Sequence, residues 1–181
     1  MKNRTADNQL HMTAYASLLA ALTAVGAYIA IPIGPVPIVL QNLFVYLMGL
    51  LLGLRWGLAG IGAYLLAGAV GLPVFSAGRG GLGHLIGPTG GYLMGFVPAV
   101  AVVGLITEKT SGKLAFGILA LILATAIIYI CGVSWLSTVT NMPLSKSLMV
   151  GMVPFLPGDL IKIVAAVTIA WKLRPILPVN T

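Results

Sequence analysis

Charge is what this sequence lacks most. Only 7% of its 181 residues are charged, against about 25% in an ordinary soluble domain. The acids number three: Asp7, Glu108 and Asp159. With 59% of the residues hydrophobic, no water-facing shell can be assembled, so most of the surface must face lipid. Cysteine is nearly missing too. The single Cys131 lies in an apolar run, which excludes a disulfide framework and a thiolate metal site and leaves a small buried hydrophobe as its expected role. His11 and His84 are the two histidines. An intramembrane enzyme needs a nucleophile with its base, or a metal constellation, and these residues offer neither. No catalytic group, no metal and no cofactor are therefore expected. A phosphate cradle is missing as well. "GLGHLIG" places Ile86 where GxGxxG requires glycine, and "SGKL" at 111–114 lacks the flanking residues of a Walker A loop. Any ATP coupling has to come from another subunit.

Basic residues, by contrast, are in excess: the net charge is +7 and the pI about 9.9. They are scattered rather than clustered, which argues against nucleic acid and for the excess of Lys and Arg that marks cytoplasmic loops. The apolar runs predict an all-α membrane protein, one transmembrane domain over 1–181 with six spans. These are roughly 12–31, 38–54, 57–71, 91–107 and 114–134, and a last helix ending at "WKLRP", with a tight turn at "LRWG" around Arg55. Six spans put both termini on one side. That side carries Lys2, Arg4, Arg55, Lys109, Lys113, Lys172 and Arg174, and the other only Arg79 and Lys146, so both termini are expected in the cytoplasm.

Two segments do not fit a plain bundle. The first, "GLPVFSAGRGGLGHLIGPTGG" at 71–91, contains eight glycines and two prolines, too many for a regular helix. Its Leu, Val, Phe and Ile content is that of a glycine-hinged outer lid over a pocket. The second is "PFLPGDLIK", which sets Asp159 and Lys162 in the last apolar segment. Asp159 precedes the interfacial Lys172 by thirteen residues, about 20 Å of helix, in a hydrocarbon core about 30 Å thick. A lone charge at that depth costs at least about 2.5 kcal/mol, so the pair must face the bundle interior. Pro157 and Gly158 are expected to interrupt the helix there and free backbone N–H groups near Asp159. Such a site suits a small polar ring carrying both N–H and C=O. A purely structural ion pair between helices is the alternative. Gln41, Asn42, Arg79, Thr89 and Tyr92 are further candidates for this pocket. Trp135 is expected as an interface anchor and His84 as a loop residue. Ala16, Ala20 and Ala24 recur every fourth residue and form a small-residue face fit for internal packing or for docking.

"IPIGPVPIVLQ", "GLPVF", "GRGGLG", "GPTGGYLMGF" and "PFLPGDLIK", in this order, resemble the BioY family over residues 12–172. That family is the biotin-specific substrate-binding (S) component of energy-coupling factor (ECF) transporters. The resemblance implies a six-helix S-component fold in the cell membrane of a prokaryote that captures biotin from outside. It implies two partners, a transmembrane T component and a pair of ABC-type ATPases. Carried over by motif, it implies substrate contacts from Asp159, Lys162, Arg79, Gly80, Gln41 or its neighbour Asn42, Gly90 and Tyr92. It implies docking on the T component through Ala16, Ala20 and Ala24. Asp159 is then expected to accept ureido N–H groups, with Lys162 supporting it or donating to the ureido oxygen, and Arg79 to approach the ligand carboxylate. The alternatives are an S component for another small vitamin and a self-sufficient proton-coupled transporter using Asp159.

Overall fold

Backbone groups in hydrocarbon have no water to bond, so the long apolar runs close their hydrogen bonds internally as helices. The computed structural model describes the backbone of residues 2–110 and 112–175 and side chains from residue 8 onward. Lys2 and Arg4, counted above in the charge distribution, have side chains outside the described residues. The helices are α1 (Lys2–Tyr28), α2 (Gln41–Ala69), α3 (Leu82–Leu85), α4 (Gly90–Lys109), α5 (Leu114–Thr140), α6 (Leu144–Gly151) and α7 (Leu156–Leu173). A two-stranded antiparallel ribbon, β1 (Ala30–Ile31) with β2 (Ile38–Val39), joins α1 to α2. Its pairing ends α1 three residues earlier than the apolar run alone predicts.

Five segments are long and apolar enough to cross a membrane: Asn8–Tyr28, Gln41–Ala69, Gly90–Lys109, Leu114–Thr140 and Leu144–Leu173. The second is not straight. At Gly53 the backbone swings to φ 72°, outside helical space and accessible chiefly to glycine. Gln41 then hydrogen-bonds Tyr64 at 2.9 Å, although a straight helix would separate them by about 34 Å. Gln41–Ala69 is thus a hairpin of two antiparallel arms, with its turn at Gly53 rather than at Arg55. Glu108, from α4, fixes that turn: its Oε1 accepts the Leu54 N–H at 2.7 Å, and a Cβ on residue 53 would strike the same carboxylate.

The helices pack in a chain of neighbours: α1 on α2, α2 on α4, α4 on α5, with α7 wedged between α2 and α5. Val45, Met48, Ile61, Phe96, Val100, Leu121 and Ala166 fill the centre. Ile122, Ile130, Leu160, Ile161 and Val164 stay exposed, as lipid-facing side chains must. Cys131 is half-buried against Gly95 of α4.

One expectation changes here. Pro157 and Gly158 do not interrupt a helix; they lie in the first turn of α7, where a proline loses no needed hydrogen bond. The break lies just before them, in a short 3₁₀ turn over Val153–Phe155. The Ala16, Ala20 and Ala24 face packs partly inward. Ala16 is buried with its carbonyl 3.3 Å from where a Cβ on Gly60 would sit, and Ala20 and Ala24 are half-buried against the core. Small residues let α1 approach the second arm of α2 at Ala16 and Gly60.

Candidate functional site

The helix break aims the start of α7 inward. Asp159 falls in its first turn, where the positive end of the helix dipole favours a carboxylate. It is 3% exposed and Lys162, one turn on, is 7% exposed, so neither charge meets lipid or bulk water. Lys162 Nζ donates to Asp159 Oδ1 at 2.9 Å. The phenol of Tyr129, from the middle of α5, donates to Oδ2. Both carboxylate oxygens are therefore engaged from fixed directions. Their remaining lone pairs, and the two unspent N–H donors of Lys162, stay available.

These groups open on a cavity that also contains Asn42, Ser76, His84, Thr89, Tyr92 and Phe155. The ribbon delivers the start of α2 to this wall: Leu40 N–H donates to the carbonyls of Gly26 and Ile29, which fixes Gln41 and Asn42 beside it. Gln41 is buried and lines the cavity too. Its Nε2 donates to Tyr64 Oη, and that hydroxyl donates to the Val74 carbonyl at 3.0 Å. Gln41 therefore ties both arms of the hairpin to the loop, and Oε1 accepts no hydrogen bond among the described residues. Asn42 also lines the cavity, with its side-chain amide beside the Tyr46 hydroxyl. Tyr92 donates to the Gly151 carbonyl at 2.8 Å and so joins α4 to the end of α6.

The 71–89 segment forms the remaining wall. Phe75 is fully buried, edge-on to Tyr64, and its other side stacks on the His84 ring at 5.3 Å. His84 pairs with Thr89 at 3.1 Å. Burial, and secondarily the charge of Arg79, holds the His84 pKa below the usual histidine value. Trp135 donates its indole N–H to the Gly87 carbonyl at 2.9 Å, so it fastens this loop as well as reaching the outer surface of α5. The cavity itself is narrow, about 60 Å³, which is room for a few waters. A bicyclic ring enters only if part of the wall moves.

Of the eight substrate positions expected from sequence, Gln41, Asn42, Tyr92, Asp159 and Lys162 line one cavity. Arg79, Gly80 and Gly90 do not. Arg79 is exposed, with its carbonyl accepting the Phe75 N–H at 2.8 Å. Gly80 and Gly90 are sites of close approach, where any Cβ would collide with the carbonyls of Leu72 and Leu85. They shape the loop rather than touch the cavity. Tyr129 is the group the sequence reading missed: nothing local marks a tyrosine in "AIIYICG" as the partner of a carboxylate thirty residues on. Ser76 and His84 also line the cavity. Taken together, the site offers a carboxylate acceptor, an ammonium donor, the Asn42 amide and an aromatic and apolar surround. That combination is chemically suited to a neutral polar ring with paired N–H and C=O groups. No group of ≥ 3 His, Cys, Asp or Glu gathers as a metal site among the described residues.

Comparison with known proteins agrees with this architecture. The sequence pattern of the BioY family matches residues 1–179. The biotin transporter BioY of Thermotoga maritima is 44% identical over 162 residues, covering 88% of this chain and 93% of the relative. The biotin transporter BioY of Lactococcus lactis subsp. cremoris is 37% identical over 180 residues, with 96% and 92% covered. Among solved structures, the S-component for biotin from an ECF-type ABC transporter superposes with a TM-score of 0.87 at 32% identity, over 97% of this chain and 94% of that one.

Proposed function

The chain belongs to the BioY family, a family of membrane transport proteins, and from that premise we propose that it is the biotin-binding S component of an ECF-type uptake system. The observation that carries the reading is the buried Asp159–Lys162–Tyr129 cluster on the cavity wall. A ureido ring offers two N–H donors flanking one carbonyl. Asp159 accepts from the N–H side, and its charge makes those hydrogen bonds roughly twice as strong as neutral ones. Lys162 or Asn42 donates to the ureido oxygen, while Phe155, Tyr92 and Phe96 give the apolar part of the ligand a dry surround. Arg79 lies on the rim-forming loop, so the carboxylate tail of the ligand points toward the loop and outward.

In this reading the two arms of the α2 hairpin count as separate crossings. Six crossings result, with both termini in the cytoplasm and the 71–89 loop outside. The chain carries no nucleotide-binding motif, so a T component and ABC-type ATPases supply the energy. The S component binds and delivers but catalyses nothing, and it needs no cofactor. Calorimetric titration of biotin into the purified chain in detergent tests the ligand: saturable binding is expected, and its absence in folded protein rejects the assignment. Uptake measured with and without the ATPase subunits, and with and without an uncoupler, tests the energy source. Uptake that survives loss of the ATPases but stops with the uncoupler would point instead to a proton-coupled transporter.

A further inference from the structure

A second cavity, about 340 Å³, opens at the far end of α7, and its chemistry is different. Arg174 is fifteen residues beyond Asp159, about 22 Å along the helix, so this cavity lies at the opposite end of the bundle. Leu50, Val167 and Ala170 make one side apolar, and Trp171 stands at the edge, 65% exposed. Arg174 and Thr107 supply the polar side.

Three observations set these polar groups apart from those around Asp159. Arg174 makes no salt bridge among the described residues. Its guanidinium nevertheless has a built position: it rests against Gly112, where any Cβ would occupy the space of Nη1. Thr107 is 3% exposed, and its Oγ1 has no hydrogen-bond partner among the described residues. The first turn of α5, which adds Leu114 and Gly117 to the wall, has no side-chain cap for its N–H groups among the described residues. The charge around the cavity points the same way. Arg55, Lys109, Lys113, Lys172 and Arg174 gather at this end, and its one described acid, Glu108, is already engaged by Leu54 N–H.

We propose that this cavity binds an anionic phospholipid, with Arg174 holding the headgroup phosphate and an acyl chain lying along Leu50, Val167 and Ala170. A guanidinium suits a phosphate oxygen pair, and basic pockets between membrane helices are the setting in which acidic headgroups bind. Free phosphate shares the headgroup chemistry but has no use for the apolar wall or for the interfacial tryptophan. Thr107 adds a neutral hydrogen bond from the α4 wall.

The test is native mass spectrometry of the full chain, titrated with phosphatidylglycerol, with phosphatidylcholine of the same acyl chains, or with inorganic phosphate. Phosphatidylglycerol adducts are expected in preference to phosphatidylcholine. Arg174→Gln is expected to weaken them about tenfold or more, the scale of a charged hydrogen bond. Thr107→Val is expected to weaken them about threefold, the scale of a neutral one. Lys146→Gln, a basic residue outside this cavity, should change nothing. Both cavity variants are checked for unaltered helical signal and monodisperse elution; Arg174 is a helix-end residue and Thr107→Val conserves shape. Equal adducts in Arg174→Gln and the native chain overturn the proposal. So does equal loss in Lys146→Gln, which would mean diffuse charge, or displacement of the lipid by inorganic phosphate alone.

Discussion

The two ends of α7 treat charge in opposite ways. At the start of the helix Asp159 and Lys162 are buried, and every hydrogen-bond partner they have among the described residues is another buried polar group. At its end Arg174 has no acidic partner among the described residues, and Trp171 is exposed beside it. The difference follows from depth. Within hydrocarbon an unpaired charge is prohibitive, so the carboxylate and ammonium must neutralise each other and turn inward. At the interface water and headgroups are available, so a cation can be left open. One helix therefore carries a closed polar cluster that a small ring can join and an open one suited to an anion.

Breaking the closed cluster should have the largest effect. Lys162→Met leaves Asp159 buried without its cation and is expected to cost about 3–5 kcal/mol of stability. Arg174→Met at the other end should stay within about 0.5 kcal/mol. Thermal unfolding in detergent compares them, and equal losses would erase the contrast. Restoring neutrality with Asp159→Leu in the Lys162→Met background should recover stability but not biotin binding.

Next in size is the loop that covers the closed cluster. Gly90→Ala forces a Cβ into the Leu85 carbonyl and should lower stability by about 1–3 kcal/mol. Gly83→Ala, with nothing within 4 Å, should be close to neutral. Similar melting temperatures for the two would show that loop packing is not tight at Gly90.

A smaller effect is expected from Tyr129→Phe, which keeps the ring but removes the second donor to Asp159. Biotin affinity should fall about five- to tenfold, near 1 kcal/mol of hydrogen bonding, with the fold retained. Calorimetry showing no change would mean that the carboxylate is oriented by Lys162 alone.

The smallest is a pH effect confined to the loop. His84 has its pKa lowered in the folded loop, so the neutral ring is the form the fold favours. The stabilisation is fully present above the ordinary value of about 6.5 and is lost as pH falls from there toward the lowered value. Biotin binding should weaken modestly between about pH 7.5 and 5.5 in the native chain and stay flatter in His84→Gln. Parallel profiles would remove His84 from the account.

Much of this was legible in the sequence, because lipid imposes strict rules. Apolar runs had to become helices, and Asp159 and Lys162 had to turn inward together; both hold in the structure. Gln41, Asn42 and Tyr92 were found because polar side chains near the ends of apolar helices are few. What depended on distant contacts was not legible. Tyr129 meets Asp159 only through the packing of α5 on α7, and no local pattern announces it. The close approach of Gly80 and Gly90 to the carbonyls of Leu72 and Leu85 is likewise a tertiary contact that no local pattern announces. The alanine stripe of α1 reads alike for an inner or an outer interface; in the fold Ala16 meets Gly60 of the facing arm. The turn of the α2 hairpin was expected near Arg55. Gly53 takes it because glycine tolerates φ 72° and because Glu108 waits across the turn for the Leu54 N–H.

The central claim is that the buried carboxylate of Asp159 holds the ligand. Calorimetric titration of biotin into native chain and Asp159→Asn, both verified as folded, tests it most directly. The account predicts saturable binding by the native chain and affinity at least about tenfold weaker in the variant, the loss of a charged hydrogen bond. Unchanged affinity in Asp159→Asn would contradict it and reduce the Asp159–Lys162 pair to a structural clasp.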